Sequence, residues 1–126
     1  MKIERGDIFF ADLSPVIGSE IGGMRYVVVI QNDEWNNETC SDGGTVIVAP
    51  LSSNNLEINS QTAMATIPTN ISEIALFPYR ILLFGIRAID TKRLKKHIGR
   101  LSDETMAEIV RTLMLLREKY HFNGYI

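Results

Sequence analysis

The chain has one cysteine and two histidines among its 126 residues, which limits the chemistry available to it. A single cysteine, Cys40, excludes an internal disulfide and a zinc site built from cysteines, and it fits a reducing compartment. We therefore expect no metal site of this kind.

Long apolar runs are also missing. Asp, Arg and Gln interrupt every apolar stretch before it reaches the roughly 18 residues that a membrane span needs. The first residues lead directly into a strand pattern, without the apolar region of a signal peptide. We expect one cytoplasmic domain over residues 1–126, with no membrane contact.

An excess of positive charge is absent as well, because the net charge is −2. This value argues against a protein that coats nucleic acid without selectivity. The charge is uneven, however: residues 1–42 hold eight acids and three bases, whereas residues 87–100 hold six bases and one acid. The basic segment is interpreted either as a solvated helical face or as a patch that meets a polyanion or an acidic protein.

Most of the first two thirds of the chain has the patterns of β-structure. β-branched or alternating apolar residues predict five short strands, over residues 7–13, 26–31, 45–51, 62–67 and 80–89. The second strand is apolar throughout, which is typical of burial on both faces. Residues 32–44 are polar and rich in asparagine, so we expect a long exposed loop there, and residues 68–70 predict a turn.

Helical signals come only in the last third. Asp90 or Thr91 can cap a short helical turn that ends at Gly99, and Ser102 can cap a longer helix. The longer helix carries apolar residues at helical spacing, namely Met106, Ile109, Val110, Leu113 and Leu116. Short strands followed by one amphipathic helix predict an α+β fold that is mainly β, a small and partly open barrel with the helix packed on it.

Three segments carry the most specific patterns. The first comprises RGDIFFADL at residues 5–13, GSEIGGMR at 18–25 and VVVIQND at 27–33, and the others are TVIVAPLS at 45–52 and IRAIDTKRL at 86–94. In this order and spacing, which cover most of the chain, they resemble the MazF/PemK (Kid) toxins. The resemblance implies an SH3-like barrel of the MazF/CcdB-like toxin fold. It also implies a homodimer, an endoribonuclease activity on single-stranded RNA that needs neither a metal nor a cofactor, and a cognate antitoxin as partner.

The same resemblance implies a set of site residues. Arg25 aligns with the catalytic arginine of the family, Ser52 with a hydroxyl residue at a strand end, and Glu20 is the available general base. A planar guanidinium suits a phosphate group, and a hydroxyl can bond a phosphate oxygen or the 2′-hydroxyl. The residues predicted to contact RNA are Gly22, Gly23, Tyr26, Ser53, Phe84 and Arg87. The implied reaction leaves a 2′,3′-cyclic phosphate and a 5′-hydroxyl.

The chain departs from the family pattern at two places. Tyr26 replaces a proline after the arginine, which frees the backbone and offers a ring that can stack on a base. Phe84 and Gly85 replace an acidic residue and a glutamine, which removes one candidate acid or base. Two alternatives to the enzyme therefore stay open: a catalytically impaired module that binds an antitoxin, and a gyrase poison of the CcdB type, whose aromatic-glycine-isoleucine end residues 122–126 resemble in composition but not in order.

Overall fold

The fold comes from a computed structural model, which describes residues 2–15, 22–40, 43–52, 66–69 and 79–120. Within these ranges the chain forms seven strands, two α-helices and two short 3-10 turns. The strands are β1 (Asp7–Asp12), β2 (Met24–Val29), β3 (Thr45–Ser52), β4 (Thr66–Thr69), β5 (Tyr79–Leu82), β6 (Arg87–Asp90) and β7 (Leu94–Arg100). The helices are α1 (Asp33–Thr39) and α2 (Asp103–Tyr120), and the 3-10 turns are Leu83–Gly85 and Thr91–Arg93.

The strands form one antiparallel sheet in the order β4-β5-β3-β2-β1-β7, and β6 pairs with β3 beside this path. In the described part of the chain, the end strands β4 and β7 do not pair with each other, so the sheet is not closed. The prediction of a mainly β fold with a C-terminal helix, arranged as a partly open barrel, is confirmed.

Both faces of the central strands are buried. The first core lies on the face that α2 covers and comprises Ile8, Val28, Ala49, Leu51, Ile81, Leu83, Leu101, Met106 and Ile109. The second core lies on the opposite face and comprises Ile3, Phe9, Ala11, Leu13, Val27, Val29, Cys40, Val46, Val48, Ile89 and Leu94. Because side chains alternate along a strand, the apolar run of β2 supplies both cores, as its sequence predicted.

One edge of β3 is shared by two strands, and here the predicted single strand over residues 80–89 is wrong. β5 pairs with the end of β3 (Leu51 opposite Ile81), and β6 pairs with its beginning (Val48 opposite Arg87). Between these pairs the register shifts by three residues, which the 3-10 turn Leu83–Gly85 absorbs. The segment therefore runs along β3 as two strands with a bulged turn between them.

The predicted exposed loop at residues 32–44 is also wrong, because helix α1 occupies most of it. Asn32 caps the helix through its side-chain oxygen, which accepts a hydrogen bond from the Trp35 backbone N–H at 2.9 Å. Asn36 is 2% exposed, and Cys40 lies in the second core. The helix is thus short and mostly polar, but Asn36 and the C-cap residue Cys40, one helical turn apart, point towards the protein interior.

The region after β6 corrects a further prediction. Asp90 does cap a short turn, since its carboxylate accepts a hydrogen bond from the Lys92 backbone N–H at 2.8 Å. Gly99 does not end that turn, however, because it lies within strand β7. The basic segment 87–100 therefore comprises β6, a 3-10 turn and the outer strand β7, and it is not a helical face. Arg93 and Arg100 within it are hydrogen-bonded to other parts of the protein.

Strand β4 contradicts the predicted turn at residues 68–70, since Pro68 and Thr69 belong to this strand. A proline fits there because β4 is an end strand of the sheet. Asn70 and most of the predicted strand 62–67 lie outside the described residues. At the other end of the chain the predicted cap of α2 is confirmed: Ser102 Oγ accepts a hydrogen bond from the Thr105 N–H at 3.2 Å.

Candidate active site

Arg25 lies in the first half of β2, at the point where this strand leaves the glycine-rich loop. Its side chain is half-buried and bridges two backbone carbonyls. Nε donates a hydrogen bond to the Gly22 carbonyl at 3.2 Å, and Nη1 donates one to the Leu51 carbonyl at 3.5 Å. The guanidinium is therefore fixed between the loop and the end of β3.

The backbone around this loop is held at both of its described ends. Gly23 has a φ of +79°, a conformation that favours glycine, and its carbonyl accepts a hydrogen bond from the Leu13 N–H at 2.9 Å. Arg93 donates through Nη1 to the carbonyls of Asp12, at 3.1 Å, and Ser14. Arg93 thus fixes the entrance of the loop, which gives this basic residue a structural role.

Ser52 is the last residue of β3 and is 7% exposed. The pairing of β2 with β3 ends at Val27 opposite Pro50, and the same register extended by two residues sets Arg25 opposite Ser52. Cross-strand neighbours project from the same face of a sheet. Two of the three residues predicted as catalytic, Arg25 and Ser52, therefore share one face, at the rim of the second core.

The structure adds a residue that the sequence did not single out. Arg80 of β5 is the recorded cross-strand partner of Ser52, and its side chain is half-buried. Arg25, Ser52 and Arg80 consequently form a row across three adjacent strands, which we call the polar row. No short motif marks Arg80, since only the pairing of β5 with β3 reveals it.

Arg87 and Phe84 lie further along the same edge of β3. Arg87 pairs with Val48, a residue of the second core, so its half-buried side chain starts from the same sheet face as the polar row. Phe84 is 41% exposed and lies in the bulged turn between β5 and β6. Both of these predicted RNA contacts therefore lie beside β3, and the ring of Phe84 is accessible there.

Tyr26 occupies a different position from its neighbour in sequence. Its ring packs against Phe10, with the ring centroids 5.2 Å apart, and against the first core. Because successive side chains of a strand point to opposite faces, Tyr26 lies on the other side of the sheet from Arg25. The structure thus does not bring this ring to the polar row.

Some predicted residues and features lie outside the described part of the chain. Glu20, Ser53 and the C-terminal residues 122–126 belong to this group. Across the residues that the structure does describe, no three His, Cys, Asp or Glu side chains come together as metal ligands. None of the helices in that part combines the length and apolar character that a membrane crossing requires.

The chain is similar in sequence to a known family of proteins. A family model described as "PemK-like, MazF-like toxin of type II toxin-antitoxin system" matches residues 4–116. The chain belongs to this toxin family. A curated relative, endoribonuclease EndoA of Bacillus subtilis, is 42% identical over 121 residues, which cover 91% of this chain and 94% of that protein.

Solved MazF structures share the fold of this PemK/MazF-family chain. MazF from Deinococcus radiodurans superposes with a TM-score of 0.72 at 17% identity, over 92% of this chain and 96% of that chain. The Mycobacterium tuberculosis toxin MazF-mt6 gives a TM-score of 0.68 at 14% identity, over 89% and 96% of the two chains. A mycobacterial endoribonuclease solved with its cognate antitoxin gives 0.65 at 18% identity, over 90% and 92%. At these identities the likeness concerns the fold.

Proposed function

We propose that this chain is the endoribonuclease toxin of a type II toxin-antitoxin system, and that it cleaves single-stranded RNA at the polar row. The observation that carries the proposal is the Arg25 guanidinium, held against the Leu51 carbonyl and in register with Ser52, in a chain of the PemK/MazF family. The 42% identity to an endoribonuclease supports the same activity.

The proposed reaction uses the RNA's own 2′-hydroxyl. Its oxygen attacks the adjacent phosphorus and loses its proton, while the bond from phosphorus to the 5′-oxygen breaks and that oxygen gains a proton. The products are a 2′,3′-cyclic phosphate and a 5′-hydroxyl, and the atoms balance without a metal or a cofactor. The chain has to stabilise the charge on the phosphoryl oxygens and assist two proton transfers.

Each residue has a proposed task in this reaction. Arg25 stabilises the charge that develops on the phosphoryl oxygens, because its fixed donors cost no reorganisation when the charge forms. Ser52 donates a hydrogen bond to a phosphoryl oxygen or bonds the 2′-hydroxyl. Glu20, on the loop that precedes Arg25, is proposed as the general base, and Phe84 and Arg87 as contacts along the RNA.

The partners follow from the same proposal. We expect a homodimer, because small barrels gain stability from a partner subunit, and a cytoplasmic location, where RNA is available. We also expect a cognate antitoxin whose acidic and apolar segment folds onto the toxin when it binds. A structural neighbour that was solved with its cognate antitoxin supports this last expectation.

Incubation of the purified protein with a long single-stranded RNA in excess EDTA tests the proposal. We expect cuts at a defined sequence, with cyclic phosphate at the new 3′-ends. Arg25→Ala should abolish cleavage and leave the melting temperature within about 2 °C, because the side chain is only half-buried. Arg111→Ala, which removes an exposed arginine from α2 on the other side of the sheet, is the matched control and should cleave normally.

Other results of these assays would contradict the proposed activity or the proposed role of Arg25. Full cleavage by Arg25→Ala would remove the assigned role of this residue. No cleavage by the unaltered chain, beside an active MazF-type control, would favour the impaired antitoxin-binding module, in which Phe84 and Gly85 mark the lost function. Inhibition of DNA gyrase by a chain that leaves RNA intact would favour the CcdB-type alternative.

A further inference from the structure

We propose that Arg80 is a second phosphate-binding residue of the RNA site, on the far side of Ser52 from Arg25. The inference rests on the proposed function, since it assigns a backbone contact to the same site. It adds a residue that neither the family pattern nor the sequence motifs of this chain indicate. The ligand chemistry is the phosphodiester backbone of a single strand, read without regard to its bases.

The sheet register places Arg80 beside the proposed catalytic residues. Ser52 and Arg80 are directly paired across β3 and β5, and such partners have Cβ atoms about 5 Å apart on one face of the sheet. The register of β2 with β3, extended two residues beyond the pair Val27 and Pro50, sets Arg25 at the corresponding position on the other side of Ser52. Two strand spacings, roughly 10 Å, therefore separate the backbones that carry the two guanidiniums. A strand of RNA that crosses Ser52 passes both of them.

The local environment makes an arginine at this position unusual. β5 lies between β4 and β3 and is paired on both edges, and the residues that follow Arg80 in this strand, Ile81 and Leu82, are fully buried. An interior strand position of this kind favours β-branched or aromatic residues. The half-buried guanidinium of Arg80 adds a second positive charge beside Ser52, on the same sheet face as Arg25. Positive charge at this place suits the phosphates of an RNA strand.

The two arginines would have separate tasks. Arg25 is fixed by two backbone carbonyls, which suits a group that has to meet one phosphate in one geometry. Arg80 starts from the neighbouring strand, where a long side chain can reach the next phosphate along the RNA. Contacts to neighbouring phosphates position the chain for reaction and contribute a salt-dependent part of the affinity. Arg80 is thus assigned to binding and not to proton transfer.

Salt dependence distinguishes this role from a structural one. A single-strand phosphate contact contributes a slope of about −0.7 to the plot of log affinity against log salt concentration. With 1 M salt as the reference, removing one contact therefore weakens binding about eightfold at 50 mM salt and about threefold at 200 mM. An arginine that only supported the fold would leave this slope unchanged.

The experiment measures the binding of a fluorescent single-stranded DNA of mixed sequence, which has the phosphates but lacks the 2′-hydroxyl and is not cleaved. Arg80→Gln should make the negative slope less steep by about 0.7, and Arg80→Lys should retain the slope of the unaltered chain. Arg111→Ala should match the unaltered chain as well. With RNA as substrate, Arg80→Gln should raise KM more than it lowers kcat.

An unchanged slope in folded Arg80→Gln, or the same loss of slope in Arg80→Lys, would overturn the proposal. If Arg80→Gln does not fold, Arg80→Met, which removes the charge but keeps a long apolar side chain, decides through the same measurement: a slope less steep by about 0.7 supports the proposal and an unchanged slope overturns it. Failure of the proposed enzyme has a different signature: the unaltered chain then leaves RNA intact, while the binding assay with DNA still reports on Arg80.

Discussion

Helix α1 is fixed to the sheet by a small buried amide network, and its loss should have a measurable cost. Gln31 Nε2 donates a hydrogen bond to Asn36 Oδ1 at 3.1 Å, and Asn36 Nδ2 donates in return to the Gln31 carbonyl at 3.0 Å. Asn36 Nδ2 also reaches Asp33 Oδ1 at 3.3 Å. Asn36 is 2% exposed, so water does not replace these partners readily when the side chain is truncated.

Asn36→Ala removes these three hydrogen bonds, each of which contributes about 1 kcal/mol, and should lower the free energy of unfolding by about 3 kcal/mol. For a chain of 126 residues the entropy of unfolding is about 0.26 kcal/mol/K, so the melting temperature should fall by roughly 11 °C. Differential scanning calorimetry at one fixed protein concentration measures this shift, since an oligomer would make it concentration-dependent.

Asn37→Ala is the matched control, because Asn37 belongs to the same helix and is exposed. Its melting temperature should stay within about 2 °C of the unaltered chain. Equal melting temperatures for Asn36→Ala and Asn37→Ala would refute the reasoning, because they would mean that the buried amides contribute nothing beyond their contacts with water.

Two further predictions concern α2 and the N-terminal segment. Ile109 is 1% exposed and Val110 is 40% exposed. Calorimetry should therefore find that Ile109→Ala lowers the free energy of unfolding by about 2–5 kcal/mol and Val110→Ala by less than about 1 kcal/mol. Similar losses for the two variants would mean that α2 packs differently. The hydrogen bond from Arg100, with a further contribution from Lys2, lowers the pKa of Glu4 below its ordinary value of 4.5. The stabilisation is thus complete above that value and disappears as the pH falls through the lowered pKa. Glu4→Gln should therefore melt below the unaltered chain at about pH 7, and the difference should shrink as the pH falls below 4.5. A difference that stays constant in acid would contradict the ion pair.

The strands that supply the two cores could be predicted from the sequence because their apolar residues are dense. β1, β2 and β3 each combine β-branched or aromatic residues with clear flanking signals, and the structure confirms all three. The cap of α2 could also be predicted, because Ser102 precedes two acidic residues and a helical apolar pattern. Local chemistry determined these elements, so a local pattern was sufficient to find them.

The elements that were missed depend on contacts between distant parts of the chain. α1 itself buries only Asn36, and Cys40 follows at its C-cap, which is too few inward side chains for an apolar period. Asn32 followed by two acids is nevertheless a cap signal. β7 is polar because it is an outer strand, so its lysines suggested a helix. The interruption at Leu83–Gly85 arises because β5 and β6 share one edge of β3, which no local window shows.

The residues of the candidate site also fall into those that the sequence could predict and those that it could not. Arg25 and Ser52 could be predicted because they belong to recognisable family segments. Arg80 could not, because its neighbour Ser52 is 28 positions away in sequence and the pairing of β5 with β3 alone brings them together. Tyr26 follows Arg25 directly, and the alternation of the strand sends it to the opposite face.

The position of β7 gives its basic residues a consequence for how the protein behaves in solution. Within the described residues β7 pairs only with β1, and its other edge has no strand partner among them. An outer strand of this kind can pair edge to edge with a second molecule. Lys95 and Lys96 are exposed on this strand, and lysines on an outer strand oppose such edge-to-edge association because like charges repel. Their charge therefore helps to set the concentration at which the protein stays dispersed.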